Sequence, residues 1–224
     1  MVKIIGHRGA SGYAPENTIL SFETAIEIRC DRAELDVRLS KDNNVIVFHD
    51  EEVSRVTNGN GFVHELSLAE LKKLDVSEHQ KIPTLQEVID FCKGKIDLQI
   101  ELKAQGTPRL VNNILLQNNF IDNVVITSFD VELLQEIKKL NSNLKVGLLF
   151  KEYSEKIWQL AEEIPLDFIG PRGNIVTEEL VNKAHKLGKS VYAYHVKEKE
   201  LGEKLIALGV DEIGTDFPKL FIDS

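Results

Sequence analysis

Residues 32–50 read RAELDVRLSKDNNVIVFHD, and this stretch decides how the rest of the chain is interpreted. Alternate side chains of an extended strand share a face, so Glu34 and Asp36 point the same way. Leu35 and Val37 then lie on the other face, which we expect to be buried. The stretch therefore places two carboxylates side by side on one strand.

Eight apolar segments along the chain could run as parallel strands, each followed by a helical segment. They are residues 2–6, 32–37, 96–103, 124–128, 146–150, 168–170, 191–195 and 212–216. The last five begin roughly every 22 residues, which is typical of repeated strand–helix units. Eight such units close a barrel, so the sequence predicts an α/β fold, a TIM-type (β/α)8 barrel with a short insertion after strand 2.

Residues 45–48 form a further apolar segment, separated from the second strand by the polar turn residues 41–44. About seven linking residues are too few for a parallel crossover, which needs a dozen or more. We therefore expect an antiparallel hairpin in which residues 38–44 rise above the barrel mouth. This hairpin would fold His49 back to lie near Asp36.

Residues 51–94 lack the strand–helix rhythm and are interpreted as a small insertion within one domain of residues 1–224. Two segments in it, beginning at Ser67 and Thr84, have the Ser/Thr-x-x-Glu form of a capping box. Each capping box predicts the start of a helix.

The composition narrows the possible partners. A formal net charge of -9 over 224 residues argues against a nucleic-acid partner.

Cys30 and Cys92 have no metal-type or redox-type spacing, and we expect both to be reduced. No apolar run approaches the roughly 20 residues of a membrane helix, and no signal peptide is evident. We expect a soluble, cytoplasmic protein without stable membrane association; the oligomeric state stays open.

Polar residues follow most of the predicted strands. The strand ends carry His7 and Arg8, then Glu34 and Asp36, Glu101 and Lys103, Ser128 and Phe129, Tyr194 and His195, and finally Asp216. An open, doubly wound sheet is the alternative fold, but such a sheet uses one switch point and would not concentrate charge on nearly every strand. A barrel gathers all these ends at one mouth, so the distribution favours the barrel.

Three carboxylates, those of Glu34, Asp36 and Glu101, are expected at this mouth. Oxygen ligands select Mg²⁺ or Ca²⁺ over zinc, which favours imidazole and thiolate. Taken singly, the strand acids could be a solvated face, and Glu101 with Lys103 could be a surface ion pair. Their convergence favours a site for one divalent cation.

His7 and His49 would flank this cation site and suit a general acid and a general base acting in turn. Arg8 and Lys103 add positive charge that fits a bound phosphate. Metal-assisted phosphoryl chemistry is the function that these residues indicate. His195 also lies at a strand end, and its role stays open.

Seven motifs, in this order along nearly the whole chain, carry a resemblance to a known family. They are GHRGASGYAPENT at 6–18, AELDVRLSKDNNVIVFHD at 33–50, RVTNGNG at 55–61, IPTLQEV at 82–88, IELK at 100–103, TSFD at 127–130 and GVDEIGTDFP at 209–218. The chain resembles the glycerophosphodiester phosphodiesterases, whose barrel is distantly related to that of phosphoinositide-specific phospholipase C.

The resemblance implies the same cation ligands, acid–base histidines and phosphate-facing residues as the spacing does. It further implies that Glu16 supports the site and that Phe129 and the aromatic Tyr194 shape a glycerol pocket. The implied reaction is hydrolysis of a small-molecule glycerophosphodiester, such as glycerophosphocholine or glycerophosphoethanolamine, to glycerol 3-phosphate and an alcohol.

Two alternatives to this reaction are open. The same site could cleave a lysophospholipid headgroup, or the barrel could bind sugar phosphates without catalysis. The preferred headgroup, the choice between Mg²⁺ and Ca²⁺, and the formation of a cyclic phosphate also stay open.

Overall fold

The computed structural model describes residues 2–222, and its centre is a closed barrel of parallel strands. The described strands are β1 (Lys3–Gly6), β2 (Arg32–Leu39), β3 (Val45–Val47), β4 (Asp97–Leu102), β5 (Val124–Ser128), β6 (Lys145–Phe150), β7 (Phe168–Pro171), β8 (Ser190–Ala193) and β9 (Glu212–Thr215), and all but β3 belong to the barrel. The order around the barrel is β1, β2, β4 to β9, and β9 pairs in parallel with β1. The ring closes because β1 bonds to both β2 and β9. The predicted TIM-type barrel is therefore confirmed, and the alternative of an open sheet is wrong.

Helices cover the outside of the barrel. They are α1 (Ile19–Ile28), α2 (Leu68–Leu71), α3 (Leu85–Cys92), α4 (Thr107–Gln117), α5 (Val131–Leu140), α6 (Lys156–Glu163), α7 (Glu178–Lys186) and α8 (Lys199–Ala207). Single 3₁₀ turns lie at Val53–Arg55, Val63–Glu65, Ser77–His79, Ile121–Asn123, Gly173–Ile175 and Pro218–Leu220. Within residues 2–222, no helix has both the length and the apolar character needed to cross a membrane.

The inside of the barrel is filled by side chains of alternating size. Phe168 and Tyr192 are buried there and pack edge to face, with ring centroids 6.4 Å apart. Gly147 and Gly214 make room for these rings, because a Cβ on either glycine would lie within 2.2 Å of a ring carbon or hydroxyl. This packing closes the lower barrel and leaves the carboxyl ends of the strands as the open mouth.

The predicted hairpin after β2 is confirmed. β3 pairs antiparallel with β2, with Val37 opposite Val47. The backbone N–H of Phe48 then donates to the carbonyl of Asp36 at 2.9 Å. This bond places the residue that follows, His49, beside the barrel mouth.

The segment that follows the hairpin packs as a small apolar cluster beneath it, with Ile46, Phe48, Leu71 and Ile82 at its centre. Both predicted capping boxes are present: Ser67 and Thr84 each accept a hydrogen bond from the backbone N–H three residues on, and the glutamate there bonds back. The two capping boxes could be predicted from the sequence because a helix cap depends only on neighbouring residues.

The predicted strand at residues 191–195 extends too far. β8 ends at Ala193; Tyr194 makes an isolated parallel bridge to Arg172, and His195 follows as irregular backbone. His195 has a φ of 60°, a left-handed conformation that is unfavourable for a residue with a Cβ. The apolar pattern did not show this turn, which aims His195 across the mouth.

Candidate active site

Three carboxylates meet at the mouth, at the ends of β2 and β4. Asp36 and Glu101 are direct neighbours in the parallel register of these strands, and Glu34 lies on the same face as Asp36. One oxygen from each of the three lies within 4.8 Å of the others. Glu34 is 3% exposed and Asp36 1%, so the solvated-face interpretation is wrong.

The three carboxylates have different protonation equilibria. Burial and the charge of Asp36 raise the pKa of Glu34 to about 8. Burial and the same neighbouring charge also raise the pKa of Glu101. Burial opposes ionisation of Asp36 as well, but Lys103 and Arg8 outweigh it and lower the Asp36 pKa. Buried like charges raise one another's pKa values in this way, while Lys103 and Arg8 keep Asp36 ionised.

Asp36 also has an oxygen without a partner. Its Oδ2 accepts a hydrogen bond from Asn17 at 2.9 Å, but the buried Oδ1 has none from the residues the structure describes. Lys103 Nζ lies 3.4 Å from that oxygen and 2.8 Å from Glu101 Oε1. A free carboxylate oxygen facing two further carboxylates is the donor set of a hard divalent cation, so the residues fit such an ion.

His7 follows β1 and lies beside these carboxylates. Its Nε2 is 3.9 Å from Glu34, and its Nδ1 is 2.6 Å from Asp216. Burial would lower the pKa of His7, but the Asp216 hydrogen bond and the Glu34 charge outweigh it, so the pKa is raised. Asp216 is held in turn by Ser11 Oγ at 3.0 Å and Lys197 Nζ at 2.9 Å.

Arg8 turns from the end of β1 across the acidic cluster. Its φ of 52° is left-handed, which is costly for arginine and is stabilised by contacts at both ends of the residue. The backbone N–H donates to Glu34 Oε2 at 2.8 Å, and Nη1 donates to Glu16 at 2.8 Å. Nε is 3.4 Å from Asp36 but makes no hydrogen bond to any described residue.

His49 is held by a chain of ion pairs rather than by the barrel. Its Nδ1 lies 2.5 Å from Asp50 Oδ1, and Asp50 also accepts a hydrogen bond from Arg55 Nε. Arg55 binds Glu16 through both terminal nitrogens, at 2.9 and 2.6 Å, and Glu16 binds Arg8. Burial lowers the pKa of His49, with the Arg8 charge acting in the same direction.

Aromatic side chains lie after the ends of β5 and β8 at the mouth. Phe129 and Tyr194 pack edge to face with centroids 5.7 Å apart, and Lys151 lies over the Phe129 ring. The Tyr194 hydroxyl donates to the carbonyl of Phe150 at 3.2 Å, and burial and the charge of Glu101 raise the pKa of Tyr194. The His195 ring lies 5.2 Å from that of His7, and its pKa is lowered to about 4 by burial and the His7 charge.

The structure therefore brings together every residue that the sequence nominated for the site. No role was expected from the sequence for Asp216 and Asp50, which orient the two histidines, or for Arg55 and Asn17. Arg55 was visible only as the start of the RVTNGNG stretch, and Asp216 only as a polar residue at the end of the last strand and in GVDEIGTDFP. Their partners lie far away in sequence, which is why spacing could not pair them.

A family model for the glycerophosphoryl diester phosphodiesterase family matches residues 7–220. A glycerophosphodiester phosphodiesterase of Caldanaerobacter subterraneus subsp. tengcongensis is 37% identical and aligns over 98% of this chain and 96% of its own length.

Two solved structures share the fold. An Oleispira antarctica phosphodiesterase in complex with the product sn-glycerol-3-phosphate has a TM-score of 0.92 and 28% identity, over 96% of this chain and 93% of its own. A Thermotoga maritima glycerophosphodiester phosphodiesterase has a TM-score of 0.87 and 29% identity, over 99% and 97% of the two chains. Each similarity extends across the strand ends that form the mouth.

Proposed function

Because the chain belongs to the glycerophosphoryl diester phosphodiesterase family and is a glycerophosphodiester phosphodiesterase, we propose a role for each residue of its site. We propose metal-dependent hydrolysis of glycerophosphodiesters to glycerol 3-phosphate and an alcohol, with two histidines as the acid–base pair. The supporting observation is that two histidines, each bonded through Nδ1 to an aspartate, flank three buried carboxylates.

Glu34, Asp36 and Glu101 would hold one Mg²⁺ or Ca²⁺. The unpartnered Asp36 Oδ1 and the raised pKa values of the two glutamates support this assignment. A bound cation would neutralise charge that develops on the phosphoryl oxygens. Lys103 already contacts two of the three carboxylates, so it would share the site with the ion rather than replace it.

Arg8 and Lys103 would bind the phosphate group. Arg8 Nε is buried without a hydrogen-bond partner among the described residues, so it has an N–H to offer. Glu16 fixes the other end of the guanidinium and thereby orients it. A preoriented guanidinium stabilises charge at the phosphoryl oxygens without reorganising during the reaction.

The positions of the two histidines suggest their roles. The His7 ring lies 5.2 Å from that of His195, the residue after Tyr194, and the glycerol pocket is proposed at Phe129 and Tyr194. His7 would therefore remove a proton from water or from the neighbouring glycerol hydroxyl. His49 lies on the side of the hairpin, and it would protonate the leaving alcohol.

The environments of the histidines are consistent with these roles. Asp216 raises the basicity of His7 Nε2 in the manner of an aspartate behind a catalytic base. Burial and neighbouring positive charge make the His49 imidazolium a stronger acid. In both rings the aspartate occupies Nδ1, which leaves Nε2 to exchange the proton.

We propose that the whole chain forms one catalytic unit. We treat residues 1–224 as one catalytic domain, with residues 51–94 as an insertion that supplies Arg55 to the His49 network. Cytoplasmic location stays a prediction from the sequence.

The first test is cation dependence. Release of glycerol 3-phosphate from glycerophosphoglycerol, glycerophosphocholine and glycerophosphoethanolamine should require Mg²⁺ or Ca²⁺ and stop in excess chelator. Asp36→Asn should lose activity on the order of 10²-fold or more, because it removes a charge from the ligand set. Asp97→Asn, at the exposed amino end of β4, is the matched control and should retain activity. Full activity in chelator would contradict the role of the cation.

Cleavage of lysophospholipid headgroups is the second candidate, and it would require an apolar surface for an acyl chain beside the mouth. The open cleft next to the site is lined instead by polar and charged side chains such as Arg38, Lys41 and Asn43. We therefore rank it second. A strong rate preference for long-chain lysophospholipids over glycerophosphodiesters would reverse this ranking.

A further inference from the structure

A cleft of ≈ 460 Å³ opens beside the cation site, between the β2–β3 hairpin, the insertion and the loop after β4. Lys103 belongs to both places, because it lines the cleft while its Nζ contacts Asp36 and Glu101. The cleft is therefore continuous with the site of chemistry. Its size is within the range of small-molecule pockets.

The charge of the cleft differs from that of the protein. Arg38 and Lys41 line it, together with Lys103, which is already paired with Asp36 and Glu101. Glu51 is the one carboxylate among the lining residues, in a chain with a formal net charge of -9. Glu51 is a weak counterion, since its side chain is 73% exposed and lies 3.8 Å from Arg38. Positive potential in a partly enclosed cleft concentrates anions.

Arg38 is positioned to bind such an anion. Its side chain is 14% exposed and lies on the same face of β2 as Glu34 and Asp36. Nε donates to the carbonyl of His49 at 2.8 Å, which fixes the plane of the guanidinium. The two terminal nitrogens make no hydrogen bond to any residue that the structure describes, so a bidentate fork is available.

The cleft also lies on the side expected for the departing alcohol. Attacking and leaving oxygens are roughly in line in phosphoryl transfer, so the leaving group lies opposite the attacking group. With His7 as the base on the attacking side and His49 as the acid, the leaving alcohol would lie on the side of His49, whose carbonyl accepts a hydrogen bond from Arg38. His49, the proposed acid, adjoins this cleft through its contact with Arg38.

We propose that this cleft binds the leaving alcohol and selects glycerophosphodiesters in which that alcohol carries an anionic group, a phosphate or a carboxylate. The inference rests on the proposed function and adds its substrate class. Quaternary ammonium headgroups are recognised by aromatic faces, and no Phe, Tyr or Trp is among the residues found to line the cleft. A choline headgroup would meet the positive charge of Arg38 and Lys41 instead.

The experiment compares four diesters that share the glycerol phosphate and differ in the leaving alcohol. The alcohols are glycerol, glycerol phosphate, glycerate and choline. The wild type should show a kcat/KM about tenfold higher for the phosphate and carboxylate substrates than for glycerol, and lower again for choline, as expected for one charge-assisted hydrogen bond. This preference should weaken at high ionic strength.

Two variants assign the preference to the cleft. Arg38→Gln keeps a donor for the His49 carbonyl but removes the charge, and it should abolish most of the anionic preference. Lys41→Gln changes an exposed turn residue and should reduce the preference about threefold. Lys145→Gln, an exposed lysine at the start of β6 at the other end of the barrel, is the control and should leave the preference unchanged.

Binding without turnover separates this inference from the reaction. In the His49→Ala background with Mg²⁺, calorimetric titration of the same four diesters gives the preference as a ratio of dissociation constants. A retained anionic preference without hydrolysis by the wild type would contradict the proposed function but support the cleft. Equal ratios in the parent, Arg38→Gln and Lys41→Gln proteins, or a parental preference for choline, would overturn the cleft assignment.

Discussion

The two histidines of the site flank the same carboxylates but belong to different parts of the molecule. His7 is 11% exposed and is fixed by Asp216, 209 residues away, where the first and last strands of the barrel meet. His49 is 30% exposed and is fixed by its neighbour Asp50 and by Arg55 of the insertion. Barrel closure therefore orients one histidine, while the hairpin and the insertion orient the other.

This difference affects how firmly each histidine is held in its orientation. Asp216 accepts hydrogen bonds from Ser11 and Lys197 besides His7, so the barrel offers His7 a rigid support. The support of His49 passes through Arg55, whose side chain is 47% exposed. Exposed ion pairs are weaker and more easily replaced by water.

The largest expected effect comes from removing each histidine. His7→Ala and His49→Ala should each lower kcat on natural diesters by about 10² to 10⁴, the usual contribution of a general acid or base. A p-nitrophenyl diester of glycerol phosphate has a leaving group that needs no proton. His49→Ala should therefore recover much of its activity on that substrate, whereas His7→Ala should not.

Steady-state kinetics with the natural and p-nitrophenyl diesters measure this difference. His185→Ala, a change at an exposed histidine of α7, is the control for loss of an imidazole. Recovery by His7→Ala instead of His49→Ala would show that the roles are exchanged. Equal recovery, or natural-substrate rates equal to wild type in both variants, would contradict the acid–base pair.

A smaller effect is expected from the aspartates behind the histidines. Asp216→Asn preserves shape but favours the wrong tautomer of His7, so kcat should fall roughly a hundredfold with little change in KM. Asp50→Asn should cost about tenfold, because His49 is more exposed and solvent can replace part of the support.

The pH dependence of kcat/KM distinguishes orientation from mere folding. Loss of Asp216 removes the hydrogen bond that raises the pKa of His7, so the limb assigned to His7 should move to lower pH. A structural defect alone would lower the rate without moving that limb. An Asp50→Asn defect larger than that of Asp216→Asn would contradict the ranking of the two supports.

The smallest effect concerns the carboxylates between the histidines, and it appears in stability. In metal-free protein the folded pKa of Glu34 is raised to about 8, so the folded state holds a proton that the unfolded chain, with a pKa near 4.5, releases. The free energy of unfolding should then fall as pH rises from about 4.5 to about 8, by at most about 1.4 kcal/mol per pH unit for one proton.

Bound Mg²⁺ should remove this slope, because the carboxylates are then ionised in the folded state as well. Chemical denaturation with Mg²⁺ and with chelator across this pH range measures the difference, which should grow with pH. Glu34→Gln should flatten the slope in chelator. Stabilisation by Mg²⁺ that stays constant with pH would indicate that the cation binds elsewhere.

Much of the fold followed from local patterns. The apolar strands, the spacing of the strand–helix units and the two capping boxes depend on residues close together in sequence, and the structure confirms them. The predicted end of β8 was wrong because Tyr194 and His195 continue the apolar–polar pattern, whereas beyond Ala193 only a single bridge from Tyr194 to Arg172 remains. His195 adopts a left-handed φ there, which no propensity of histidine indicates.

The sequence by itself nominated the groups that meet at the mouth: alternation on β2 put Glu34 and Asp36 on one face, and motif order identified the family. Only the tertiary structure decided how they are held, because closure of the ring joins His7 to Asp216 and the insertion joins Arg55 to Asp50 and Glu16. The residue types that can carry out a reaction, and their short spacings, can be read directly from a sequence. Orientation depends on contacts between distant segments, and those exist only after the chain has folded.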